Sequence, residues 1–356
     1  MALLPGDAEV TVSSASHANA TRASDYTVIW RAELGKRKSL PVGFHDFDVM
    51  VDFGNHFRIP HRSDAGIETA WLKQLESAPK TWDALKFRLA KIENVPIDGK
   101  HAPQLSLGLT SYLEHVGTCT ESRPEADRTV LLNDGEAKFP NTYGKNAYLA
   151  CALGVETTLE TCDGGLVLLR RAAGVVGSVG KYNGPSGHPE PNYGRPEPYR
   201  NSLDPDDVYM NGEEVKGELF ESIVRETTEE TGVHADLLSE PTLIAAMVDG
   251  YGKPDLLFRI QTTLTAAQVK KKVKSASDKW ESDRVAIVAA PGHEVDLNYD
   301  QAVSRAFWER CPDTMAATTR ATAECLLSQQ DDVDEVQSHS SECWSEDLPL
   351  WPNEFN

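Results

Sequence analysis

The chain has 356 residues, 55 acidic and 35 basic, for a formal charge of −20. Hydrophobic residues make up 40%, enough for a folded core, and at roughly 150 residues per domain the length predicts about two domains. The charge argues against a general nucleic-acid binder, which needs a Lys/Arg surface, and no run approaches the roughly 18 apolar residues of a membrane span.

The N-terminus MALLPGDAEV lacks a basic region followed by a long apolar one, so no secretory signal is expected. The six cysteines form no CxxC pair, which suggests neither a zinc cluster nor a disulfide framework. A reduced, cytoplasmic protein is expected, with the nucleus as the alternative compartment.

In chain order, residues 1–39 read as a flexible leader, Ser- and Ala-rich at first. Residues 40–146 read as a small α+β domain. Phe44 to Val51 is a strand region, Ile67 to Leu75 has helical spacing, and Phe87 to Ile92 alternates as a half-buried strand does. Leu105 to Tyr112 is a further strand, continuing to Val116. Residues 147–328 read as a second domain. Val155 to Thr161, the turn Asp163-Gly164-Gly165 and Leu166 to Arg171 make a hairpin. Residues 174–213 are irregular and rich in Gly, Pro, Asn and Asp. Glu218 to Thr231 is a helix ended by Gly232. Strands follow at Leu243 to Val248, Asp255 to Gln261 and Val285 to Val288, with a basic helix at Ala266 to Lys274. Asp300 to Leu327 is helical, broken at Pro312. The tail, residues 329–356, holds acidic residues and no Lys or Arg, and reads as disordered.

The chemistry lies in Arg225-Glu226-Thr227-Thr228-Glu229-Glu230-Thr231-Gly232-Val233. Glu226, Glu229 and Glu230 stand at i, i+3 and i+4, on one helix face. Three carboxylates so placed repel, and a hard divalent cation removes the penalty. Mg²⁺ suits such a site because it takes carboxylates, phosphate oxygens and waters. Leu219, Ile223 and Val224 mark an apolar face able to pin the helix to a sheet. Taken by itself, a Glu-rich helix is more often a solvated acidic face.

The stretch resembles the second half of the Nudix box, R-E-U-x-E-E-x-G-U, with Thr227 at the first bulky apolar position. The family places a Glu eight residues before the Arg and a Gly six before that. Here Glu218 is seven before Arg225, and the glycine loop looks like Gly184 to Pro191, separated from the helix by an insertion. Leu168-Leu169-Arg170-Arg171, Gly187 to Pro191 and Glu218-Leu219-Phe220 resemble the animal UDP-glucose diphosphatase branch of the Nudix superfamily and its plant relatives. The resemblance covers roughly residues 65–325.

It implies an α/β/α sandwich with a mixed sheet, and a smaller N-terminal α+β domain that helps form a sugar-nucleotide pocket. It also implies Mg²⁺-dependent cleavage of UDP-glucose or UDP-galactose to UMP and sugar 1-phosphate, with Mn²⁺ as a substitute. Glu226, Glu229 and Glu230 are the implied metal and catalytic residues, with Arg225 beside them. The Gly187 carbonyl and Glu218 are further metal candidates. Another nucleoside-diphosphate substrate such as ADP-ribose, or binding without cleavage, are the rival functions.

Thr110, Ser111 and Tyr112 are candidates to contact substrate, Tyr112 by stacking on uracil; a strand-end aromatic completing a core is the equal alternative. His45, His56 and His61 read as ordinary surface or core histidines rather than a second metal site. Asp163, Asp249 and Asp255 lie near strand ends or turns and read as turn residues rather than as an extra metal ligand from beyond the helix. Oligomeric state has no signal in the sequence.

Overall fold

Alternation along the strands sorts side chains onto two faces of one large sheet, and helices cover both. The computed structural model describes residues 26–32, 44–97, 100–173, 178–196, 201–289 and 299–327. The large sheet runs β1 (Tyr26–Arg31), β9 (Thr242–Asp249), β10 (Pro254–Gln261), β5 (Gly154–Glu160), β6 (Gly165–Arg171) and β11 (Ser282–Ala289). The short strands β7 (Tyr182–Asn183) and β8 (Ser186–Gly187) pair with β6 and β5. β10 and β5 are parallel and the other pairs antiparallel, so the sheet is mixed.

On β10, Leu256, Phe258 and Ile260 point to the face covered by α4 (Gly212–Thr231) and α5 (Ala266–Val273). Leu257 points to the other face, where Ala321 and Cys325 of the helix at residues 317–327 pack. Beside them, α6 (Gln301–Trp308) lays Val303 and Phe307 on Leu166, Leu168 and Val288. The helices around Pro312 are separate, as expected. The architecture is the expected α/β sandwich with a mixed sheet.

A second sheet, β2 (Met50–Phe53), β4 (Lys100–Ser111) and β3 (Leu85–Ile97), carries α1 (Ala65–Ser77), α2 (Tyr112–Cys119) and α3 (Glu125–Lys138). Its Phe87, Leu89, Leu105 and Leu107 enter the same apolar cluster as Val155, Leu219 and Phe258 of the large sheet. One continuous core therefore fixes the small unit against the large one.

Four expectations need correction. Tyr26–Arg31 is not leader but the edge strand of the large sheet, held by Trp30, whose buried indole donates to Asn94 at 2.8 Å. The rest of the leader lies outside the described residues, as does the acidic tail. The strand expected to run on to Val116 stops at Ser111. There the Ser111 hydroxyl accepts the Glu114 N–H and Glu114 reaches back to Ser111, so a capping box starts α2. The central helix starts at Gly212 rather than Glu218, because Asn211 and Glu214 form a second capping box. Phe44 to Val51 is interrupted by a 3-10 turn at Asp46–Asp48, with only its end in β2. The helix α3 had no expectation.

Candidate active site

The hydrophobic stripe of α4 decides what the glutamates face. Leu219 and Ile223 are fully buried against the sheet. Glu226 and Glu230 continue that stripe by one and two turns, and so are carried inward. Glu230 is 5% exposed. Burial, then the Glu229 charge, pushes the Glu226 carboxyl up to about 8. Burial, then the Glu226 charge, raises Glu230 well above the usual carboxylate range. Glu229 is the least buried of the three and is raised less, by burial and by Asp278. Burial also raises Glu281, which faces Glu229 and Arg171.

β8 closes over this stripe. Gly187 pairs with Val155 of β5, and a methyl group on Gly187 would overlap the Glu226 carboxylate. The Ser186 N–H donates to Glu230 at 3.3 Å. The glycine loop thus meets the glutamates despite the long insertion.

The donors on this face are carboxylate oxygens, which suit a hard cation. Among the described residues, no three His, Cys, Asp or Glu side chains gather tightly enough to cage an ion by themselves. Mg²⁺ does not need such a cage, since it takes one or two carboxylates and completes its shell with waters and substrate phosphates. Glu226 and Glu230, with Gly187 alongside, fit an ion shared with a phosphorylated ligand.

Glu218 has another task. Its Oε1 accepts the Arg225 guanidinium at 2.8 Å and the Glu190 N–H at 3.1 Å. It anchors Arg225 through this oxygen. Tyr193, from the insertion, lies over Arg225 at 3.5 Å. The insertion is therefore clamped to the helix.

Thr110 and Ser111 are likewise occupied. Thr110 Oγ1 donates to Glu114 at 2.7 Å, and Ser111 caps α2. The Tyr112 ring stands edge-on to His188, the residue after Gly187, at 6.2 Å, and Trp71 stands edge-on to Tyr112 at 6.3 Å. His56 pairs with Asp52 and His61 with Asp134, as structural histidines. Asp249 accepts two backbone N–H groups in a turn.

Several residues of this region carried no sequence signal. Lys86 of β3 donates to Glu190 at 2.9 Å across 104 residues of chain. Lys253 pairs with Asp255 over the bare backbone of Gly154. Burial, then Lys253 and Lys86, holds the His188 imidazole well below its ordinary value, so it is neutral. A groove of about 580 Å³ runs along α4, lined by Phe220, Val224, Arg225, Thr228 and Glu229 among others. No helix among the described residues is long and apolar enough to cross a membrane.

No family model matches the chain. Individual proteins do. Uridine diphosphate glucose pyrophosphatase NUDT22 of Homo sapiens is 33% identical over 260 residues, covering 71% of this chain and 80% of that protein. Nudix hydrolase 9 of Arabidopsis thaliana is 30% identical over 266 residues, covering 70% and 81%. A solved MutT protein from Methanosarcina mazei is 17% identical with a TM-score of 0.26, covering 50% of this chain and 94% of its own, a likeness too low to add weight. On the sequence relationships, the chain is an enzyme of the Nudix hydrolase family.

Proposed function

We propose that this enzyme hydrolyses the pyrophosphate bond of UDP-sugars, UDP-glucose or UDP-galactose, to UMP and sugar 1-phosphate, with Mg²⁺ or in its place Mn²⁺. The observation that carries the reading is the buried pair Glu226 and Glu230 against Gly187, in a chain related to a protein named as a UDP-glucose pyrophosphatase.

Glu226 and Glu230 would hold the cation, with Gly187 alongside as a further candidate. When bound, the ion neutralises pyrophosphate charge and stabilises the leaving phosphate. Glu229, the least buried of the three, is placed to bind further or to take the proton of the attacking water. Arg225 keeps the helix face in register through Glu218 and Tyr193. Tyr112 offers a ring for the base. An acidic protein can accept a doubly charged diphosphate only if this acidic face is first neutralised, so turnover requires the cation.

The test is release of UMP from UDP-glucose with Mg²⁺, and its loss in EDTA. Turnover that persists in EDTA or in Glu230→Gln would overturn the metal assignment. Faster release of AMP from ADP-ribose would overturn the uridine assignment.

A further inference from the structure

The acidic face has a basic counterpart one residue along the chain. Gly187 touches Glu226, and His188, next to it, turns to the seam between the two sheets.

Three groups lie around that seam: Lys86 is tied to Glu190, two residues beyond His188, and Lys253 lies over Gly154, whose neighbour Val155 pairs with Gly187. The His188 Nε2 is shut from solvent and has no hydrogen-bond partner among the described residues. Lys86 comes from β3 of the small sheet, and its side chain is 10% exposed. Lys253 comes from the turn before β10 of the large sheet, and its side chain is 21% exposed. Each lysine is held by one carboxylate, Lys86 by Glu190 at 2.9 Å and Lys253 by Asp255. A lysine as enclosed as Lys86 is uncommon without a reason, and the half-buried Lys253 approaches the same strand pairing from another part of the chain. Glu190 in turn lies near enough to Glu226 and Glu229 to repel them. A phosphate arriving between Lys86 and His188 would replace Glu190 as the partner of Lys86. Tyr112 and Trp71 wall the same side.

We propose that Lys86, Lys253 and His188 Nε2 form an anion subsite at the seam of the two sheets, which takes the uridine-linked phosphate while the sugar-linked phosphate lies against the glutamates. This rests on the UDP-sugar reading. The aromatic wall assigns the orientation, because a base that stacks on Tyr112 brings its own phosphate to His188. The small unit thereby supplies substrate charge contacts as well as packing.

Calorimetric titration of the full-length protein with UMP and with glucose 1-phosphate, both in Mg²⁺, tests this. Lys86→Met and Lys253→Met should each weaken UMP about tenfold and leave glucose 1-phosphate unchanged. For UDP-glucose the loss should appear in KM more than in kcat. Because Lys86→Met strands Glu190, the double variant Lys86→Met/Glu190→Gln should recover thermal stability without recovering UMP affinity. Unchanged UMP affinity in folded variants overturns the subsite. So does UMP affinity that returns with stability in the double variant, or a loss confined to glucose 1-phosphate. A wild-type protein that releases no UMP from UDP-glucose sinks the substrate reading instead, and the subsite with it.

Discussion

Arg225 donates to Glu218 from two helical turns away, at 2.8 Å, and Tyr193 covers the same guanidinium at 3.5 Å. The pair is enclosed, with the Glu218 side chain 6% exposed. Glu218→Gln keeps the shape and removes the charge. It should cost about 1–3 kcal/mol in urea unfolding and lower kcat/KM about tenfold, because the helix face loses its tether. No change in either quantity would show the pair to be idle.

Glu230→Gln should divide activity from stability. A buried carboxylate repelled by Glu226 burdens the fold, and an amide does not. In EDTA the variant should melt above wild type by a few degrees, equivalent to about 1 kcal/mol. In Mg²⁺ the wild type should gain melting temperature and the variant should gain less, while its turnover drops at least about a hundredfold.

Gly187→Ala places a methyl group on the Glu226 carboxylate. Gly187 is not among the residues with left-handed backbone, so the chain itself tolerates the change. Activity should fall about a hundredfold through displaced Glu226, with an ordinary melting curve. A matching loss of melting temperature would place the damage in the fold instead.

Glu156 links pH to stability away from the glutamates. It is buried in β5 and accepts hydrogen bonds from Thr318 and Thr319 of the C-terminal helix, the latter at 3.0 Å. Burial holds its carboxyl up to about 7 against an ordinary 4.5, so the folded protein keeps a proton that the unfolded chain has released. The contribution is whole below 4.5 and fades as pH rises through about 7. Glu156→Gln is neutral throughout, so its urea midpoint should fall less than that of wild type between about pH 5 and about pH 8. Parallel falls would show that Glu156 is charged in the fold.

What could be read from the sequence follows from how local each feature is. Glu226, Glu229 and Glu230 share a face because helical spacing alone puts them there, and the apolar stripe of Leu219 and Ile223 says which way it turns. The hairpin at Gly164 is equally local. The start of α2 was legible too, in Ser111-x-x-Glu114, but the apolar residues of 105–116 suit a strand as well as a helix. Asn211-x-x-Glu214 carries the same signal for α4, hidden by Gly212 and Gly217. The Lys86–Glu190 contact has no local signature at all. Two charged residues 104 positions apart meet only once both sheets are packed. The task of Glu218 emerges in the same way, from a backbone N–H in the insertion.

The edge strand β1 is synthesised well before its partner β9, with the small sheet, β5 to β8 and α4 between them in the chain. Tyr26 pairs opposite Asp249, and the Tyr26 hydroxyl reaches Glu324 at 2.7 Å. At roughly 5–20 residues per second, the early strand waits on the order of ten seconds or more before its neighbour exists. Over that interval the nascent chain exposes an apolar strand with open hydrogen-bonding groups, a target for chaperones and a hazard for aggregation. Slow maturation is thus written into the order of synthesis, because β1 finds its partner only after the intervening strands and helices have been made.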